Sequence, residues 1–263
     1  AIAAHNFPAL DLNHISVRND DGVAYLEAMS PVDCIFLDPA RRNEHGGKTV
    51  TISDCEPNVA ELEGLLLSKA NRIMIKLSPM LDLSQALKEL PHTQEVHIIS
   101  VNNECKELLL LLGQTAPEEI PVHCVNLSTK GEQEKQLFVF TREQEQHSEC
   151  SYTNTLGNYL YEPNASLLKA GAFRSIAAAY SVKKLHPNSH LYTSETQIEG
   201  FPGRTFRIIN RCSLNKKEIK ENLSDLKKAN ITVRNFPATV AELRKRIKLA
   251  EGGDTYLFAS TLN

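Results

Sequence analysis

The stretch Val32–Arg42, VDCIFLDPARR, constrains the fold more than any other. Cys34-Ile35-Phe36-Leu37 is too short for a helix and is followed by turn residues, so it reads as a buried central strand. That strand puts Asp38 at its carboxyl end, where open α/β sheets hold their ligands. Pro39 fixes its own φ and biases Asp38 towards extended backbone, which leaves the chain a restricted exit. Further strands are predicted at Leu12–Val17, Arg72–Leu77 and Glu95–Val101. Helices are predicted from Val23 to Met29, from Glu56 to about Lys69, from Asp82 to Leu90 and over Cys105–Leu112. Strands alternating with helices mean βαβ units and a mainly parallel sheet. Val122–Leu127 and Gln136–Thr141 are consecutive strands, which predicts an antiparallel edge.

A nucleotide-binding sheet opens with a strand, a glycine-rich turn and a helix. No such glycine cluster occurs in this sequence, and AIAAHNF at the start reads as the end of a helix, with Pro8 after it. Residues 1–145 are therefore expected to be the back part of a truncated domain. Thr141–Ser151 reads as a polar linker. Beyond it, Asn164 should cap a helix over Ala165–Tyr180. Arg204–Cys212, Ile231–Phe236 and Thr255–Leu262 read as strands, interleaved with helices at Asn215–Ala229 and Thr239–Leu249. This predicts a connecting module at 152–196 and a compact β-α-β-α-β module at 197–263.

Charge divides along the same lines. Residues 1–150 hold 12 basic and 23 acidic side chains, and residues 151–263 hold 17 and 9. A basic half is a candidate phosphate-binding surface; attraction between the two halves is the alternative. Lys216, Lys217, Lys220, Lys227 and Lys228 fall on one predicted helix, and Arg244, Lys245, Arg246 and Lys248 on the next. They form either an RNA-backbone surface or a solvated helix face. No apolar run approaches the roughly 20 residues that span a bilayer, so no membrane partner is expected. The six scattered cysteines contain no C-x-x-C pair, so no metal site and no disulfide framework is read, and a reducing cytoplasm is the economical location.

The acidic turn after one strand, DPAR after the next, then K-L-S-P and two closing strands together resemble a class I S-adenosylmethionine-dependent methyltransferase. The segments Tyr159–Gly171 (YLYEPNASLLKAG) and Lys228–Leu262 resemble bacterial members that carry a C-terminal THUMP-like domain. The implied fold class is α/β: a truncated Rossmann-like methyltransferase sheet, mostly parallel with an antiparallel edge, followed by a small α+β THUMP-like domain. The connecting module would be helical or ferredoxin-like.

The resemblance implies S-adenosyl-L-methionine as cofactor of the full-length protein. Asp20 or Asp21 would contact its adenine; a plain Asp-Asp-Gly turn is the alternative. Asp38, Pro39, Ala40 and Arg41 would form the catalytic turn, with Asp38 also bordering the cofactor. Arg42, Lys216, Lys217, Lys220, Arg244, Lys245 and Arg246 would bind RNA, with tRNA the expected class. His45 lies in the predicted loop, either as a lid residue or simply exposed. Ala40 stands where the family pattern has a second proline. C5 methylation needs a nucleophilic cysteine, and Lys76-Leu77-Ser78-Pro79 contains none; Cys34 lies in a strand and Cys55 in a loop, and Cys55 stays open as a nucleophile. Nitrogen methylation fits better, because an amine attacks the sulfonium methyl directly. The chain on its own is expected to be inactive. The competing reading is a non-catalytic RNA- or protein-binding module that keeps a methyltransferase-like shell.

Overall fold

The computed structural model describes residues 2–41, 51–129 and 135–262. Their contacts divide into two compact units. The first comprises Ala1–Lys76, Met80–Thr93 and Leu111–Ala116; the second comprises Leu77–Pro79, Gln94–Leu110 and Pro117–Asn263.

The first unit contains helices α1 (Ile2–Ala9) and α2 (Gly22–Ala28), strands β1 (Val32–Leu37), β2 (Ala40–Arg41) and β3 (Cys55–Glu56), helix α3 (Val59–Lys69), nearly all of β4 (Ala70–Leu77), and α4 (Leu83–Glu89). Its helices start where a short polar side chain can take up free amides. Asp21 caps α2, Asn58 caps α3 and Asp82 caps α4. Ile52, Val59, Leu66, Ile73, Ile75 and Leu90 are fully buried and form the apolar centre. β1 runs parallel to β4.

Three expectations for this unit are corrected. Leu12–Val17 forms no strand, and Pro8 lies inside the last turn of α1 rather than after it. β1 is not a buried central strand. It stands at the end of the strand order among the described residues, and Val32, Cys34 and Phe36, alternate residues on one face, are exposed. The apolar run signals a strand, but composition cannot say which neighbours cover it.

The second unit continues with β5 (Thr93–Val101), β6 (Glu104–Leu112), β7 (Pro121–Leu127), β8 (Lys135–Thr141), α5 (Arg142–His147), β9 (Tyr159–Pro163), α6 (Ala165–Ala170), α7 (Arg174–Tyr180), β10 (Lys183–Lys184), β11 (Tyr192–Ser194), β12 (Gly203–Arg207), α8 (Lys216–Leu223), β13 (Asn230–Arg234), α9 (Val240–Ile247) and β14 (Tyr256–Ser260). The main sheet has the order β1-β4-β6-β5-β7-β8. β1 and β4, and β5 and β7, are parallel pairs, and β7 and β8 form the antiparallel edge that was expected.

The predicted helix at Cys105–Leu112 is a strand. Asn102 and Asn103 have φ of 51° and 64°, the left-handed pair that a two-residue hairpin turn requires. Leu108, Leu110 and Leu112 are buried while the residues between them are half-buried, a period of two rather than 3.6. An unbroken leucine run hides that period.

The predicted helix at Ala165–Tyr180 is two helices. Gly171 closes α6 at φ 77°, a conformation that costs a residue with Cβ. α7 then starts without a side-chain cap of its own. Glu145 supplies one from α5: its Oε1 accepts from the amides of Phe173 and Arg174, and its Oε2 from the amide and hydroxyl of Ser175. The predicted linker 141–151 is thus largely helical, with a capping box between Thr141 and Gln144.

β9 sits inside the antiparallel sheet β10-β11-β9-β12, and β13 and β14 form a separate parallel pair. A buried carboxylate joins these two sheets. Glu162, 2% exposed, pairs through Oε2 with Arg204 on β12 and through Oε1 with Arg234 on β13 at 2.6 Å. Leu160, Leu185 and Leu191 pack beside it against Phe206, Ile208 and Phe258. Gly203 lets β12 approach this strand; a Cβ there would lie 2.1 Å from the Glu162 carbonyl.

Removing Glu162 leaves two guanidinium groups side by side, each 37% exposed and so partly hydrated. Glu162→Ala is expected to lower stability by about 2 kcal/mol, measured as the urea midpoint; a change within about 0.5 kcal/mol would show that both arginines are already satisfied by water.

Candidate functional site

Asp38 is positioned by the sheet ladder itself. The parallel register pairs Leu37 with Ile75, so the next rung sets Asp38 beside Lys76 at the carboxyl ends of β1 and β4. Lys76 Nζ lies 2.7 Å from Asp38 Oδ2, with the two side chains 31% and 54% exposed. An ion pair this wet contributes about 0–1 kcal/mol, so it orients the carboxylate without burying it. Pro39 is buried behind it, and Ala40–Arg41 continues as β2, paired antiparallel with Cys55–Glu56 of β3. The turn after Asp38 is therefore held from behind and open in front. A carboxylate so placed can accept hydrogen bonds from an amine or hydroxyl that reaches the strand end.

β3 also places Cys55. Sequence reading puts it in a loop; it lies in a strand, opposite Arg41, and is 6% exposed. Cys34 is exposed on β1. Arg42 and His45 lie outside the described residues.

The two candidate adenine contacts part company. Asp21 Oδ1 accepts from the amides of Val23 and Ala24 at 3.0 and 2.8 Å, so its carboxylate serves as the α2 cap. Asp20 is exposed in the preceding bend.

In the tail, Lys216, Lys217 and Lys220 are exposed on α8, and Lys216 and Lys220, four apart, share a face. Lys217 lies 4.0 Å from Glu221. α8 ends at Leu223, so Lys227 and Lys228 are not on it, contrary to the predicted helix. On α9, Lys245 is exposed, whereas Arg244 reaches the carbonyls of Ala229 and Leu249. Arg246 Nη2 donates to the Leu214 carbonyl at 2.6 Å. Arg244 and Arg246 thus hold the module together with part of their donor sets. Arg204, on a strand that ends at Arg207, is committed to Glu162 and lies over the Phe206 and Tyr256 rings.

One group of metal-ligating type was missed in the sequence. Glu95, His97 and His123 bring three donor atoms within 4.8 Å of one another. The readable signal was E-x-H on one strand beside P-V-H on another.

Comparisons with known proteins agree with this architecture. A ferredoxin-like domain model matches residues 159–202, and a THUMP domain-like model matches residues 203–263. A solved crystal structure, of a proposed methyltransferase from Porphyromonas gingivalis W83, superposes with a TM-score of 0.78 at 40% identity. The match covers 88% of this chain and 56% of that one, so the chain spans little more than half the length of that neighbour. No curated protein matches. These matches bear out the resemblance drawn from the sequence: a methyltransferase-type mixed sheet followed by a THUMP-like tail.

Asp38 has little structural work in so exposed a pair. Asp38→Asn is expected to shift the urea midpoint by less than about 1 kcal/mol, while Asp21→Ala, which removes a helix cap, costs about 1 kcal/mol. A larger loss for Asp38→Asn than for Asp21→Ala would make the strand-end carboxylate a packing residue.

Proposed function

We propose that this chain works in an S-adenosylmethionine-dependent enzyme that methylates a base nitrogen in structured RNA, with tRNA as the substrate class. The observation that carries the reading is the exposed, lysine-paired carboxylate of Asp38 at a strand end, in a chain 40% identical to a protein described as a methyltransferase. A THUMP domain-like tail with exposed lysines supports RNA as the partner. No helix among the described residues is long and apolar enough to cross a membrane.

The cofactor, when bound, supplies an electrophilic methyl group. Tested against the side chains present, its site is only partly met. Asp20 and Asp38 offer exposed carboxylates, Asp21 is spent on α2, and the sequence has no glycine-rich cradle. What this chain supplies is the base side of the reaction. Asp38 accepts from the exocyclic amine of a flipped-out base, and the buried Pro39 keeps the carboxylate aimed outwards. Lys76 holds that carboxylate in place at 2.7 Å. Lys216, Lys217, Lys220 and Lys245 contact phosphates, which positions RNA without reading its sequence. Arg42, Arg244 and Arg246 would add to that surface.

Nucleoside mass spectrometry of RNA from cells with the intact gene product, without it, and with Asp38→Ala tests the reading. One methylated base should disappear in both altered strains; an unchanged nucleoside pool would end the methylation claim. Calorimetry should detect no S-adenosylmethionine binding to the 263-residue chain. For the tail, tRNA filter binding against salt should give a log–log slope of about −3, reduced by Lys216→Glu with Lys220→Glu. A flat response would remove RNA as the partner.

A further inference from the structure

We propose that Glu95, His97 and His123 bind a divalent transition-metal ion of the zinc class, at a site separate from the Asp38 turn. The three side chains come from adjacent parallel strands. β5 and β7 pair in a register that sets His97 directly beside His123. Their rings stack at 4.4 Å between centroids with planes 8° apart. Glu95, two residues before His97, projects from the same face. Its Oε2 lies 3.0 Å from His97 Nε2 and 3.8 Å from His123 Nε2.

One carboxylate oxygen and two ring nitrogens thus surround a common point. A zinc ion about 2.1 Å from each donor requires donors about 3.4 Å apart in a tetrahedral arrangement. The two measured edges bracket that value, and all three donors fall within 4.8 Å. Binding requires the two rings to turn out of their stack, so that their Nε2 lone pairs converge on the ion beside the Glu95 oxygen. Two imidazoles and a carboxylate suit zinc, cobalt, nickel and copper, and leave a fourth position for water or another ligand.

Burial, and then the neighbouring His97, lower the His123 pKa, and Glu95 opposes them. Lys135 acts in the same direction as burial. The three side chains are half-buried, which limits competition from water while leaving an entry path. Both histidines precede the carboxyl ends of their strands, at Val101 and Leu127, so this cluster is not at the strand-end rim where α/β sheets place substrates.

Cobalt titration of the whole chain tests the site. One equivalent should produce visible d–d bands of nitrogen and oxygen coordination, and zinc should bleach them. Thiolate-to-cobalt charge transfer in the near ultraviolet would instead assign the ion to cysteine. His97→Ala and His123→Ala should each weaken binding by about 100-fold, and Glu95→Gln by about 10-fold. In the unmutated chain, substoichiometric nickel should broaden the ring signals of His97 and His123 before those of the other histidines, a readout that does not depend on variants folding. Absence of saturable d–d bands, bands unchanged in His123→Ala, or earlier broadening of other histidines would overturn the site.

Discussion

The buried carboxylate of Glu162 is the constraint around which the last third of the molecule is arranged. A carboxylate with 2% exposure is tolerated only when its charge and lone pairs are met. The two guanidinium groups that meet it arrive from different sheets: Arg204 from the strand beside β9, and Arg234 from the parallel pair formed by β13 and β14. The requirement therefore reaches beyond a local contact. It ties the ferredoxin-like match at 159–202 to the THUMP domain-like match at 203–263 through the first strand of the former. Gly203 is the steric counterpart, since only a residue without Cβ lets β12 come close enough for Arg204 to reach.

Some cations of the tail are engaged within it and others face outwards, Arg207 and Arg211 among the latter. Arg204, Arg234, Arg244 and Arg246 have guanidinium donors engaged by a carboxylate or by backbone carbonyls. The exposed charge at Lys216, Lys217, Lys220 and Lys245 is carried by ammonium groups on flexible stems. Planar multi-donor groups suit fixed internal geometry, and compact mobile charges suit a polyanion whose sequence is not read. Asp38 shows a third arrangement: its place comes from backbone register, and its side chain keeps more than half its surface in water.

Much of this was legible in the residues. Strands ending at Leu37, Leu77 and Leu127, and the cap at Asn164, follow from short apolar runs and a polar helix start. The errors have specific causes. Leu108–Leu112 is apolar at every position, so the two-residue period exists only in the burial, and the Asn102-Asn103 turn that fixes it was the overlooked signal. Gly171 divided a helix that apolar spacing made continuous. At the site, Asp38 could be placed at a strand end from sequence, but Asp21 could not be assigned between ligand and cap, because both uses ask for the same residue. Glu95, His97 and His123 were missed for a different reason: 26 residues separate the histidines, and only strand pairing makes them neighbours.

Glu145 has a consequence for how the chain can be divided. The acceptor for the first amides of α7 comes from a helix that precedes β9, outside the residues matched as a ferredoxin-like domain. A shortened polypeptide beginning at Tyr159 would keep every residue of both matched modules and still leave those amides unanswered. A boundary drawn at Thr141, whose hydroxyl starts the helix that presents Glu145, would keep that acceptor with the helix it caps.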